Sequence, residues 1–322
     1  MHVKNPVGDF SPTGFVEQPF FVYNIIINIL EEFYMVLGSI EAGGTKFVCA
    51  IGNHDMEVLE RISIPTTTPE ETLPKVFEFF KKYEQELEAV GVGSFGPIDS
   101  NKKSATFGYI TSTPKLEWQN YDFIGELKRH LNVPINWTTD VNAAAYGEYY
   151  FGHGKALESL VYYTFGTGVG GGAIQRGEFV GGMNFPEMGH MIVKRHPEDN
   201  AKCVCPFHSD CLEGLAAGPA LQEKAGRPAF ELEPTDPIWD IEAYYAAQCI
   251  YNTTLILAPE VIVLGGGVMQ QTHLLKKVKQ EFEKLMNGYV GYPSVDEYLQ
   301  NPALGNNAAT IGCLAMAKAL LK

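Results

Sequence analysis

Short apolar runs that end in glycine turns recur along the chain from Met35 onward. Residues 36–40 and 47–51 are rich in β-branched and apolar side chains, and the segment Glu-Ala-Gly-Gly-Thr-Lys at 41–46 separates them. Strands favour such runs, and adjacent glycines allow a tight turn. The pattern therefore predicts a strand, a turn and a second strand.

The same arrangement recurs about 120 residues later, where the apolar run 160–165 leads into the glycine-rich segment 166–172. Two similar hairpins predict a duplicated α/β protein with a cleft between the copies. We expect one α/β domain over residues 35–142, joined by a C-terminal helix at 308–322, and a second over residues 143–307.

Helices are predicted where apolar residues recur every three or four positions. Thr68 and Pro69 suit the N-cap and first position of one such helix. Its apolar face consists of Leu73, Val76, Phe80, Tyr83 and Leu87. Further helices are predicted over residues 123–131, 143–150, 238–257, 273–286 and 308–321. The last of these is expected to pack back onto the first domain.

Composition and charge narrow the class of partner. The 322 residues are 45% hydrophobic, which is enough for two packed domains, and the formal net charge is −14. A strongly acidic chain repels nucleic acid and anionic membranes, so we expect a small-molecule ligand and neither of those partners. Residues 1–34 contain an apolar stretch that is too short and too interrupted for a membrane span. We interpret them as a disordered extension or a misassigned start, with the natural chain beginning at Met35.

The cysteines suggest a metal site. His190 is followed by Cys205, His208 and Cys211, and four nitrogen and sulfur ligands are the number that a closed tetrahedral zinc site uses. Cys203 is a spare cysteine, and a chance cluster is the alternative. Such crowding suits a reducing compartment, so a cytoplasmic location is expected.

Asp140 and the glycine turns are ambiguous when each is taken alone. A Gly-Gly hairpin is a common structural turn, although its N–H groups can also bind phosphate. The turns match neither a Walker A loop nor a dinucleotide fingerprint. Asp140 lies between an apolar segment and an alanine-rich helix. Local sequence favours a helix N-cap there, and a general base at the end of a strand is the alternative.

The order of five motifs identifies a resemblance. Residues 41–46, 93–99, 140–145, 166–170 and 186–190 follow the order typical of the ROK family of repressors, open reading frames and sugar kinases. From Met35 to the C terminus the chain resembles this family, and within it the bacterial fructokinases. The resemblance implies an α/β, actin-like ATPase fold related to ribonuclease H, in which two domains close over ATP and a sugar.

The resemblance also implies residue roles. Asp140 would accept the proton of a sugar hydroxyl that attacks the γ-phosphoryl group of MgATP, and fructose is the expected sugar. Implied nucleotide contacts are Gly43, Gly44, Thr45, Lys46, Gly166, Thr167, Gly168, Gly265, Gly266 and Gly267. Implied sugar contacts are Asn142, Glu187, His190 and Glu213. The implied structural Zn²⁺ ligands are His190, Cys205, His208 and Cys211, in a zinc loop at 187–213.

Several alternatives stay open. Glucokinase, mannokinase and N-acylmannosamine kinase belong to the same class, and a non-catalytic sugar-sensing regulator belongs to another. A repressor would need a helix-turn-helix, for which residues 1–34 are too few and too apolar. Glu41 departs from the Asp of most family members, which leaves open whether its carboxylate positions Mg²⁺. Many relatives are dimers, so a homodimer is expected by analogy.

Overall fold

The computed structural model describes residues 35–321, and the expectations for residues 1–34 lie outside them. From Val36 onward these residues form one compact unit with two five-stranded sheets. The strands are β1 Val36–Ala42, β2 Lys46–Gly52, β3 Val58–Pro65, β4 Leu87–Ser94, β5 Ile135–Thr139, β6 Ser159–Phe165, β7 Val169–Gln175, β8 Glu178–Phe179, β9 Val261–Gly265 and β10 Leu299–Gln300.

The α-helices are α1 Pro69–Lys81, α2 Phe123–His130, α3 Asp140–Phe151, α4 Leu212–Ala216, α5 Gly218–Ala225, α6 Ile238–Leu257, α7 Leu274–Met286, α8 Val295–Tyr298 and α9 Ala308–Ala319. Among residues 35–321, no helix combines the length and apolarity needed to cross a membrane.

The two sheets repeat one topology. In the first, with strand order β3-β2-β1-β4-β5, β1 is antiparallel to β2 and parallel to β4. In the second, with order β10-β9-β6-β7-β8, β6 is antiparallel to β7 and parallel to β9. Each sheet therefore begins with a hairpin and continues with a parallel strand, which confirms the predicted duplicated α/β architecture.

Two predicted helices differ by three or more residues at one end from the observed ones. Helix α1 ends at Lys81, and Leu87 instead begins the buried strand β4. The apolar spacing that predicted a helical face as far as Leu87 continues past this boundary. Leu87 is apolar for a different reason, since it is buried in β4, which pairs with β1. Helix α3 begins at Asp140, three residues before its predicted start.

Helix α9 returns to the first sheet, as predicted, and packs against α3, β1 and β4. Glycines make these contacts possible. A Cβ on Gly91 would stand 1.9 Å from the Cys313 carbonyl oxygen, and one on Gly312 would stand 1.8 Å from that of Ala143. The expected domain boundary at 142/143 falls inside α3, so this helix connects the two sheets, and the domain division itself stays a prediction.

Candidate active site and metal centre

Two carboxylates lie at the same edge of the first sheet. Strands β1, β4 and β5 are parallel, and their register pairs Glu41 with Gly93 and Ser94 with Thr139. Asp140 directly follows Thr139. Because the carboxyl ends of parallel strands meet at one edge, the fold brings Glu41 and Asp140 to the position where ligands of α/β sheets bind.

The first turn of α3 holds the Asp140 carboxylate in place. Thr139 is the N-cap, and its hydroxyl accepts the N–H of Asn142 at 3.2 Å. Asp140 is the first helical residue, and its Oδ1 accepts the N–H of Val141 at 2.9 Å. The N-cap interpretation of Asp140 is therefore wrong, because the preceding threonine caps the helix.

A cavity of about 370 Å³ lies between residues of the two sheets. Glu41 and Asp140 line it from the first sheet, and Thr164, Gly265 and Gly266 line it from the second. The volume falls in the range of small-molecule pockets. Other lining residues, among them Tyr162, Gln270, Asn301 and Asn306, carry no chemical motif and were missed by sequence reasoning. Asn301 and Asn306 come shortly before α9, whereas no local pattern marks Tyr162 in β6 or Gln270 after β9.

Electrostatics set Asp140 apart from an ordinary aspartate. The pKa of its carboxyl is raised to about 7, chiefly by burial and also by the carboxylates of Glu41 and Glu187, while the N–H of Val141 lowers it. Burial also raises the pKa of Glu41, while the charges of Arg61 and Lys46 lower it. Asp140 can therefore gain or lose a proton near neutral pH, as a general base must.

The glycine turns follow the predicted strands. Gly43 and Gly44 lie between β1 and β2, and the 166–168 turn lies between β6 and β7. Gly266 has φ of +90°, and a Cβ there would stand 2.3 Å from the Phe165 carbonyl oxygen, so only glycine fits. The cavity lining includes Gly265 and Gly266 but not Gly267 or the turns at 43–46 and 166–168.

Asn142 is placed differently from the other predicted sugar contacts. Its side chain is 1% exposed, and its amide donates to the Thr138 hydroxyl at 3.1 Å. Gly172 packs beside its oxygen, since a Cβ there would stand 2.8 Å from Oδ1. The direct sugar contact predicted for Asn142 would require this side chain to turn toward the cleft.

The other three predicted sugar contacts lie near one another. His190 Nε2 is 3.9 Å from Glu213 Oε1, and the other oxygen of Glu213 accepts the N–H of Val169 at 3.0 Å. The Glu187 carboxylate is close enough to Asp140 to raise the pKa of that residue, and the Glu213 carboxylate in turn raises the pKa of Glu187. Gly189 permits this grouping, because a Cβ there would stand 1.7 Å from the Val169 carbonyl oxygen.

Four side chains form a candidate metal centre. Ligand atoms of His190, Cys205, His208 and Cys211 all lie within 4.8 Å of one another. His190 Nδ1 is 3.9 Å from Cys205 Sγ and 3.7 Å from Cys211 Sγ, and Cys205 Sγ is 3.5 Å from His208 Nδ1. A tetrahedral zinc ion with ordinary bond lengths separates its sulfur and nitrogen ligands by about 3.6 Å. The four residues therefore fit a zinc ion.

A backbone hydrogen bond joins the ends of the loop that carries this centre, and Cys203 lies outside the four-ligand cluster. Leu212 N–H donates to the Met191 carbonyl at 2.9 Å, which joins the two ends of the loop beside His190 and Cys211. Cys203 lies outside the four-ligand cluster, and its thiol donates to the His208 carbonyl at 3.2 Å. The structure thus groups the four residues that the sequence indicated.

Two mixed sheets, each headed by a glycine hairpin and joined at a cavity, define the actin-like ATPase fold. The ROK family model matches residues 37–320, and the chain belongs to the ROK family.

Sugar kinases are among the relatives of this chain. A fructokinase from Streptococcus mutans is 50% identical over 87% of this chain and 97% of its own length. A glucokinase from Halalkalibacterium halodurans is 28% identical over 85% of this chain and 92% of its own. A crystal structure of ROK hexokinase from Thermus thermophilus has a TM-score of 0.73 and 26% identity, covering 89% of this chain and 100% of that one.

Proposed function

We propose that this chain is an ATP-dependent fructokinase, which converts D-fructose and MgATP to fructose 6-phosphate, ADP and a proton. The Asp140 carboxylate, whose pKa is raised to about 7 in a cavity between the two sheets, carries the proposal. Fructose is favoured because the relative named fructokinase is 50% identical and the one named glucokinase 28%.

In the proposed reaction Asp140 acts as the general base. Its carboxylate takes the proton of the fructose 6-hydroxyl, and the freed electron pair of O6 forms the bond to Pγ. The bond from Pγ to the bridging oxygen breaks, and its electron pair leaves with ADP. Positioning and charge stabilisation supply most of the acceleration in such transfers. Asp140 lies at the carboxyl ends of the strands, where it can meet both substrates.

The nucleotide would lie between the glycine turns. We infer that the 43–46 and 166–168 turns direct N–H groups at the phosphates and that Gly265, Gly266 and Gly267 border the adenosine. Mg²⁺, when bound, neutralises phosphate charge. Glu41 fits as the residue that orients it, because its carboxylate lines the cavity beside Asp140 and Mg²⁺ prefers oxygen ligands.

We infer a structural zinc ion held by His190, Cys205, His208 and Cys211. Thiolate and imidazole donors suit zinc, and four protein ligands leave no position for substrate. If Nδ1 of His190 binds the metal, Nε2 points toward Glu213, 3.9 Å away. The metal would therefore fix His190, Glu187 and Glu213 as hydrogen-bonding partners for sugar hydroxyls.

The test is ADP release, measured by a coupled assay with fructose, mannose, glucose and N-acetylmannosamine. We expect kcat/KM for fructose to exceed the others by about tenfold or more. A higher value for another hexose would replace fructose as the substrate. Sugar binding without ADP release from any sugar would favour the non-catalytic regulator.

We also propose a homodimer and a cytoplasmic location for this protein. Light scattering after size exclusion tests the oligomeric state.

A further inference from the structure

Lys115 lies beside the hairpin that we propose for phosphate binding. A Cβ on Gly44 would stand 3.5 Å from Cε of Lys115, so the end of this side chain lies against the turn. We propose that Lys115 binds the γ-phosphoryl group of ATP and stabilises its charge during transfer. This inference rests on the proposed kinase function and adds a residue that no motif indicated.

The backbone around Lys115 is fixed from both sides. Lys115 N–H donates to the Thr113 hydroxyl at 3.3 Å, and the Lys115 carbonyl accepts the N–H of Trp118 at 2.9 Å. Trp118 is 1% exposed, and its indole N–H donates to the Thr67 carbonyl at 2.6 Å. Its ring lies 5.3 Å from that of Phe47, which belongs to strand β2 of the same hairpin. Lys115 is thus anchored to the hairpin it overlies.

The charge of Lys115 is not used elsewhere in the described part of the chain. Among residues 35–321 the Lys115 ammonium forms no ion pair, and its side chain is half-buried. Of the other half-buried lysines among residues 35–321, three form ion pairs, namely Lys224, Lys277 and Lys279, and Lys318 donates to the His54 carbonyl at 2.7 Å. A half-buried ammonium without a carboxylate partner is available to an anionic ligand.

A cation at this position would offset the acidic charge of the site. Its carboxylates, Glu41, Asp140, Glu187 and Glu213, repel a triphosphate, and the chain as a whole carries a formal charge of −14. In phosphoryl transfer, negative charge is spread over the three non-bridging oxygens of the moving group, and a positioned cation stabilises it. Lys115 keeps its proton throughout, so the step adds no proton transfer to that carried out by Asp140.

The test compares Lys115→Met, which removes the charge but keeps the length, with Lys115→Arg. The control is Lys75→Met, since Lys75 is an exposed lysine of α1 with no ion pair among the described residues. We expect Lys115→Met to lower kcat about 100-fold, with KM for fructose changed less than about threefold, and Lys115→Arg to recover part of the loss. The control should stay within about twofold, and thermal unfolding should show all variants folded.

Nucleotide binding separates this proposal from the proposed function. Calorimetry without sugar should show Lys115→Met weakening the non-hydrolysable ATP analogue AMPPNP about tenfold and ADP less than about threefold, because only the first has a γ-phosphate. Equal weakening of both, or a kcat within threefold of the parent, would overturn the role of Lys115. A parent protein that fails to phosphorylate fructose would refute the function, while the AMPPNP-to-ADP ratio would still decide the role of Lys115.

Discussion

The two glycine hairpins are alike in sequence and topology but differ in the charge beside them. The first, between β1 and β2, has Lys115 against Gly44, at 3.5 Å from an added Cβ. The second, between β6 and β7, has the Glu213 carboxylate against Gly168, at 2.5 Å from an added Cβ. The same local turn thus acquires a cation in one half and a carboxylate in the other, and segments distant in sequence supply both.

This difference suggests that the residues beside the two hairpins serve different parts of the reaction. A cation and Asp140 near the first hairpin suit the phosphoryl group, whereas the Glu213 carboxylate beside the second, two residues from the metal ligand Cys211, suits the hydroxyls of a neutral sugar. Changes to Lys115 or Asp140, on the side of the first hairpin, should therefore lower kcat. Changes to Glu213 or to the metal ligands, on the side of the second hairpin, should raise KM for the sugar. The following predictions test that separation.

The largest effect is expected from Asp140→Asn. Removal of the general base should lower kcat about 10³-fold or more, with little change in KM for fructose. The variant should remain folded and be stabilised above neutral pH. A carboxyl whose pKa is raised by folding binds a proton more tightly in the folded state, so the native charge costs stability as pH rises toward 7. Activity within tenfold of the parent would refute the assignment of the base.

The metal centre should act on the sugar side. Cys205→Ser, or complete removal of the metal by a chelator, should raise KM for fructose about 100-fold and lower the melting temperature, because the loop that carries His190 and Glu213 loses its anchor. Metal content should be measured alongside activity by elemental analysis.

Cys203→Ser is the matched control, because Cys203 lies two residues away and outside the ligand cluster. It should keep its metal and stay within about threefold of the parent in KM. If it lost the metal while Cys205→Ser kept it, the ligand set would be wrong.

Much of this site could be predicted from sequence, because glycine turns, strand ends and closely spaced ligands are local patterns. The spacing of the His and Cys residues indicated the four side chains that the structure brings together, and the apolar segment before Asp140 indicated its place at a strand end.

The remaining features depend on tertiary packing. Lys115 has no local signature, since its place beside Gly44 depends on the burial of Trp118 against β2. Likewise, Asn142 sits in a suitable motif but is buried by contacts with Thr138 and Gly172, which sequence spacing does not reveal.

Equivalent substitutions in the two hairpins sharpen the comparison further. A Cβ on Gly168 would collide with Glu213 at 2.5 Å, whereas one on Gly44 would make an ordinary contact with Lys115 at 3.5 Å. Gly168→Ala should therefore displace the Glu213 carboxylate and raise KM for fructose about thirtyfold, beside any effect on ATP through the 166–168 turn, while Gly44→Ala should change KM for fructose less than about threefold. Steady-state kinetics with varied fructose measures both. Similar effects of the two substitutions on KM would remove the proposed division.

The smallest expected effect is the pH dependence of kcat/KM, which we attribute to Asp140. Asp140 must be deprotonated to act as a base, and its pKa is raised to about 7 by burial and by the Glu41 and Glu187 carboxylates. The value of kcat/KM should therefore rise about tenfold between pH 6 and a plateau above pH 8. Glu41→Gln removes one of the charges that raise this pKa, so the rising limb should move to lower pH. A profile flat from pH 5.5 to 8 would mean that Asp140 has an ordinary aspartate pKa in the enzyme–substrate system, and that burial in the cavity does not tune the base.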